Sequence, residues 1–272
     1  MKLVKTLLAV ALGAAINTAP ASAAILDGWN LNLGLLAGGT DATNIDRLEV
    51  SGYSTVVQQV VGGSAEGQTF TDNGMFQVTG YREEGSPLVS SFGLPTGYTN
   101  MYILFTGLTG TLNPGGTITF DSNVGNVGLW LGDDANPDGD ATDYQLADYD
   151  VIAPSGGSDL NFYGGGGANA TVDVTLDLLS VLAGLFTDAG GNALDGGAPL
   201  TLHLVNVDSL LDEDFDPNPD NTNVDANGDG YSIIHVENAG QYKVSAGVPE
   251  PATLALLGMG LLGMGVASRR KS

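Results

Sequence analysis

The chain has 272 residues, 41 of them glycine, and sets 31 acidic residues against 8 basic ones for a net charge of −23. That balance excludes a nucleic-acid-binding surface and repels anionic lipid or polymer unless divalent cations intervene. The absence of cysteine rules out disulfides and a thiol nucleophile alike.

The first 23 residues have the layout of a signal peptide. Lys2 and Lys5 precede a short apolar core at 6–16, and Ala21-Ser22-Ala23 fits the small-residue cleavage rule, so the mature chain is expected to start at Ala24. Removing this segment and the C-terminal tail described below leaves three basic residues, Arg47, Arg82 and Lys243, against 30 acidic ones. The exported domain, 24–247, then carries a charge near −27 and is long enough for one large all-β domain with a sizeable core.

Most apolar segments repeat with a period of two. Trp29-Asn30-Leu31-Asn32-Leu33 alternates with Leu35 in phase, predicting a half-buried strand. Strands follow at 47–50 and 54–61. Segments 69–71 and 75–81 read as a hairpin around Asp72-Asn73-Gly74, since Asn-Gly supplies the positive φ of a tight turn. Further strands are expected at 101–106, 117–120, 127–131, 148–152, 159–163, 170–176, 200–207, 232–237 and 241–245. Turn signals stand at Asn113-Pro114-Gly115-Gly116, Pro154-Ser155-Gly156-Gly157, 164–167 and Gly190-Gly191. Helical spacing appears once, at 176–185, where Leu178, Leu179, Leu182 and Leu185 share a face; a buried strand and turn fit the same residues. About a dozen short strands separated by turns predict an all-β domain, a β-sandwich or jelly-roll-like fold.

Two acidic runs carry the strongest local chemistry. Asp134-Ala135-Asn136-Pro137-Asp138-Gly139 and Asp225-Ala226-Asn227-Gly228-Asp229-Gly230 both satisfy D-x-N-x-D-G, the opening of a calcium loop in which alternate oxygen side chains point inward and glycine permits the sharp turn. Asp216-Pro217-Asn218-Pro219-Asp220 repeats the first five positions. Position 12 of each complete run is Gln145 or Val236 rather than a carboxylate, so an EF-hand is not expected. A non-helical calcium loop would close through Asp140 or Asp143 in the first case and Asp212 or Asp214 in the second. The competing reading is a set of solvated Asp/Asn/Gly turns.

Catalytic arrangements are thin. His203 and His235 sit within strand sequence, no G-x-S-x-G nucleophile elbow is present, and 164–167 lacks the Lys-Ser/Thr of a phosphate loop. A carboxylate pair of glycosidase type can be drawn among so many acids. Trp29, Trp130, Tyr98, Tyr102 and Tyr163 offer rings for sugar stacking or for the core.

The chain ends in Val248-Pro249-Glu250-Pro251, then 16 uncharged residues at 252–267, then Arg269-Arg270-Lys271. As a helix those 16 residues reach about 24 Å against a bilayer core of about 30 Å, and flanking residues with snorkelling arginines complete a single transmembrane helix. The basic terminus would stay cytoplasmic and the domain outside. This order of Pro-Glu-Pro, short span and basic terminus, residues 248–272, resembles the PEP-CTERM sorting signal of Gram-negative bacteria. The resemblance implies that a membrane protease-transpeptidase, exosortase, removes the tail and releases or attaches the protein at the cell surface.

A second resemblance runs through the mature region. Trp29-Asn30-Leu31-Asn32-Leu33, Asn44-Ile45-Asp46-Arg47-Leu48, Gly52-Tyr53-Ser54-Thr55-Val56-Val57-Gln58, Phe70-Thr71-Asp72-Asn73-Gly74-Met75-Phe76, Leu104-Phe105-Thr106-Gly107-Leu108-Thr109-Gly110 and Glu237-Asn238-Ala239-Gly240-Gln241-Tyr242 are similar to the flocculation-associated PEP-CTERM proteins. It implies a cell-surface or matrix protein of exopolysaccharide-producing bacteria, acting in adhesion, flocculation or biofilm formation rather than catalysis. The partners so implied are exosortase, the membrane before processing, and an anionic exopolysaccharide bridged by calcium, with no nucleic acid. A carbohydrate-binding module and a polysaccharide-active hydrolase are the alternatives.

Overall fold

The computed structural model describes residues 24–26, 28–83, 85–133, 142–158, 171–194, 200–210, 223–224 and 230–246. Thirteen strands follow in order: β1 (Ala24–Ile25), β2 (Trp29–Leu31), β3 (Ala42–Val60), β4 (Thr69–Glu83), β5 (Asn100–Asn113), β6 (Thr117–Phe120), β7 (Asn126–Gly132), β8 (Tyr144–Ser158), β9 (Thr171–Val181), β10 (Phe186–Thr187), β11 (Leu200–Leu210), β12 (Asn223–Val224) and β13 (Gly230–Ala246). A single 3-10 turn at Leu33–Leu35 follows β2, and there is no α-helix among the described residues.

Every register among these strands is antiparallel, in keeping with the expected β-sandwich class. The hydrogen bonding also closes on itself: β3 pairs β4, β4 pairs β5, β5 passes through β6 and β7 to β8, and β9, β11 and β13 lead back to β3. Closure removes the exposed edges that an open sheet would offer to other chains.

The register gives the ring two ends. Asn100, Gly132, Tyr144, Val181 and Ala246 lie toward one; Asn113, Thr117, Ser158, Thr171, Val60 and Gly230 lie toward the other. The chain leaves the ring at Ala246, at the first end. A compact unit spans Ile25–Gly247.

Inside the ring lies one apolar core. Leu48, Ile103, Leu129, Tyr149, Tyr242 and Val244 are sealed from solvent, with Phe76 and Phe105 stacked at a centroid distance of 5.2 Å. Beyond Ile45, β2 and β10 pair with each other and bury Trp29 against Phe186, 5.9 Å apart edge to face, and against Tyr242 at 6.3 Å. Removing an aromatic ring from such a core typically costs about 3–5 kcal/mol.

Three sequence expectations need correction. Asp72-Asn73-Gly74 is not a turn but the middle of β4, paired on one side with Val56, Thr55 and Ser54. The irregularity lies on the facing strand: between Asp72↔Leu108 and Gly74↔Phe105, β5 holds one extra residue, and Gly107 takes φ +66° while donating its N–H to Asn73 Oδ1 at 2.7 Å. Asn73 thus satisfies a bulge instead of making a hairpin.

The predicted pairs 47–50 with 54–61, and 232–237 with 241–245, are each one long strand. Gly52 does not break β3. It allows close approach, since a Cβ there would stand 1.9 Å from the Met75 carbonyl oxygen.

Pro154-Ser155-Gly156-Gly157 likewise stays within β8 as an irregularity between Ile152 and Gly156. There Ser155 Oγ donates to the Ile152 carbonyl at 2.6 Å and accepts the Thr175 N–H at 2.8 Å, replacing ladder bonds. Residues 176–185 take the strand-and-turn alternative: β9 runs to Val181 and a turn follows. The expected strand 159–163 and the glycine run 164–167 lie outside the described residues.

Candidate functional site

The first acidic run falls in the chain between β7 and β8, whose residues Leu131 and Tyr144 pair. Asp134, Asn136, Asp138 and Asp140 lie outside the described residues, but the base of their loop is described. There the hydroxyl of Tyr102, a fully buried residue, donates to Asp143 Oδ2 at 2.5 Å, while the Asp133 N–H points to Asp143 Oδ1 at 3.4 Å. Of the two carboxylates that sequence offered to close this loop, Asp143 is therefore fixed at its root. These two bonds orient the Asp143 carboxylate where β8 begins.

The second run falls in the chain between β12 and β13, where Val224 pairs with Gly230 and Asn223 with Tyr231. Asp225, Asn227 and Asp229, together with Asp216, Asn218 and Asp220 between β11 and β12, lie outside the described residues, as do Asp212 and Asp214. By register Gly230 lies toward the end of the ring opposite Tyr144. Among the described residues no group of three or more His, Asp or Glu side chains could hold a metal ion.

Of the two readings that sequence offered for the aromatic residues, the described ones take the core rather than the sugar-stacking one. Trp29 and Tyr102 are fully buried, and Trp130 and Tyr98 are half-buried; Tyr163 lies outside the described residues. Among the described residues the most exposed rings are Tyr53, at 59%, and Tyr231, at 53%. The strand positions of the two histidines are set by register: His203 pairs with Thr175 and Lys243, and His235 with Thr55.

One ionisable group went unnoticed in the sequence. Asp72 faces the interior, with Val56 and Leu108 as its register partners, and its Oδ1 is enclosed without a hydrogen-bond partner among the described residues. Burial pushes its carboxyl up to about 7, against smaller opposing contributions from the Ser54 hydroxyl and the Asn73 N–H. The misread Asn-Gly turn concealed it, because a turn aspartate would be solvated. A second interior polar pair, Tyr149 and Tyr242, shares a hydrogen bond of 2.9 Å between hydroxyls, and burial raises both above the ordinary tyrosine range.

No helix among the described residues is long and apolar enough to cross a membrane. The tail residues Val248, Pro249, Glu250, Pro251, Arg269, Arg270 and Lys271 lie outside them. Comparison with known families assigns this segment: residues 247–271 match the PEP-CTERM protein-sorting motif. No curated protein and no solved structure gives a significant match to the chain. An all-β unit followed by this motif defines an exported protein, anchored at the membrane during sorting and then processed to the cell surface. The chain carries the PEP-CTERM sorting motif at residues 247–271, which implies processing by exosortase.

Proposed function

We propose that this protein is a non-catalytic adhesive component of the exopolysaccharide matrix of a Gram-negative bacterium, related to the flocculation-associated PEP-CTERM proteins. The sorting motif at 247–271 carries the proposal, because it delivers an acidic β domain to the cell surface, where polymers and neighbouring cells are met. Calcium rigidifies the acidic hairpins and bridges their carboxylates to anionic exopolysaccharide or to another copy. Support comes from chain order and register. Each D-x-N-x-D-G run falls in the chain between two paired strands, β7 and β8 for the first and β12 and β13 for the second, and two such runs would give one domain two contact points. Weak contacts of this kind sum by avidity along a shared polymer.

The test is genetic. Deleting the gene disperses the cells while polymer output stays near wild type. The full chain restores aggregation, and a chain ending at Gly247, lacking the sorting tail, does not. A secreted hydrolase would reach its polymer without the tail, so rescue by the truncated chain, or altered polymer length in the null strain, overturns adhesion in favour of an enzyme.

A further inference from the structure

We propose that the outer face of β3 and β4, with Tyr231 of β13 at its border, is a docking surface for an uncharged polysaccharide. The proposal rests on the matrix reading only for the presence of a polymer; it names a polymer class and a contact that needs no calcium.

The charge of the ring's outer surface is unevenly distributed. On β8 and β9 the core takes Tyr149, Val151, Val174 and Leu176, which puts Asp148, Asp150, Asp173 and Asp177 on the opposite face, with Asp150 and Asp177 directly opposed and Asp177 Oδ1 enclosed. On β3 and β4 the same alternation gives a different surface. Val50, Ser54, Gln58 and Val60 face inward, as do Phe70, Phe76 and Val78. The outward positions between residues 51 and 59 of β3 and between 71 and 79 of β4 hold no charged side chain. Tyr53 stands opposite Met75, Thr55 opposite Asn73, Val57 opposite Thr71, and Ser51 opposite Gln77. Gln59 continues the face to its register partner Tyr231, while Glu237 is the one acidic position that β13 adds by register, beside Tyr53. Toward the chain exit the face ends at Arg47 and Arg82, paired across the strands and joined through Glu49 Oε1 at 3.0 and 2.6 Å.

This surface therefore combines two half-exposed tyrosine rings with hydroxyl and amide side chains between them. Gln59, the partner of Tyr231, is six positions along β3 from Tyr53, which puts the rings about 20 Å apart along the strand direction. A sugar chain is matched to such a face: its C–H surfaces stack on the rings while its hydroxyls exchange hydrogen bonds with Thr and Gln. Charge decides between occupants. A second copy would bring another strongly acidic domain against this one, and an anionic polymer would meet the same repulsion from the flanking strands. An uncharged polymer meets neither.

The full chain in detergent, with excess EDTA to remove calcium, is passed over microcrystalline cellulose, dextran, starch and the anionic polymer alginate. Retention on at least one of the three neutral polymers is expected, reduced about tenfold or more in Tyr53→Ala/Tyr231→Ala with the melting curve unchanged. Tyr53→Trp/Tyr231→Trp keeps the rings and should retain the polymer at least as well. Because this second variant preserves ring packing, weaker retention by it refutes the proposal even where the alanine pair unfolds. Retention by no neutral polymer, retention by alginate alone, or an alanine variant that binds as wild type overturns it. So does a dimer in light scattering that the alanine variant abolishes, which would make the face a self-interface. Failure of adhesion in the gene-deletion experiment leaves these outcomes unchanged, so the two proposals fail separately.

Discussion

Tyr102 and Asp143 are 41 residues apart in the chain and meet at 2.5 Å, hydroxyl to carboxylate, where the first acidic hairpin joins the ring. Tyr102 is paired with Trp130 on β7 and with Gln77 on β4, so this bond ties the hairpin root to three neighbouring strands. Hydrogen bonds to charged groups contribute about 1.5–3 kcal/mol each. Tyr102→Phe should therefore lower unfolding stability by about 2 kcal/mol in a urea titration, with an unchanged slope. A variant as stable as wild type would show that the bond holds nothing in place.

Asp72 predicts an unusual pH dependence. Its folded carboxyl is pushed up to about 7, above the usual carboxylate range, so between roughly pH 4 and pH 7 the folded state holds a proton that the unfolded state has lost. Stability from this group is then greatest at the acid side, falls as pH rises through that window, and levels off above it. Asp72→Asn keeps the shape and removes the titration. The difference in unfolding free energy between wild type and Asp72→Asn should change across the window by on the order of 4 kcal/mol at most, in favour of the variant at high pH. Parallel curves from pH 4 to pH 8 would contradict this.

The calcium proposal has a direct thermal test. Asp225→Ala with Asp229→Ala should lower the melting temperature in millimolar calcium and leave it nearly unchanged in chelator. A ligand bound only by the folded state adds about 3 kcal/mol at a hundred times its dissociation constant. Identical melting of the wild-type chain with calcium and with chelator rejects a structural ion.

Pro249, Glu250 and Pro251, at the start of the matched motif, are the expected recognition element for sorting. Replacing all three with alanine should leave full-length protein in the inner membrane, seen as an intact mass that retains residues 248–272. Normal processing of that variant would mean that exosortase reads some other feature.

Sequence alone determined what depends on local chemistry. The sorting motif was legible because Pro-Glu-Pro, an uncharged span and a basic terminus act in linear order, without a fold to assemble them. The all-β class was legible from period two, and 117–120 matched β6 residue for residue. Tertiary structure decided wherever a residue's role depends on a neighbour distant in sequence. Gly52 and Gly74 look like breaks, yet each lets another strand approach closely, and only the Met75 carbonyl and the Phe105 ring reveal it. Ser54 and Gln58 look solvent-facing, but they occupy interior positions of β3. Gln58 is satisfied there by the carbonyls of Gln59 and Thr69, and the alternation turns Tyr53 outward. Asp72 turns inward by the same alternation, with one carboxylate oxygen enclosed and without a hydrogen-bond partner among the described residues. Polarity predicts exposure only until another strand supplies the hydrogen bonds that water would have made, and that supply is set by register, which closure of the ring fixes and local sequence does not.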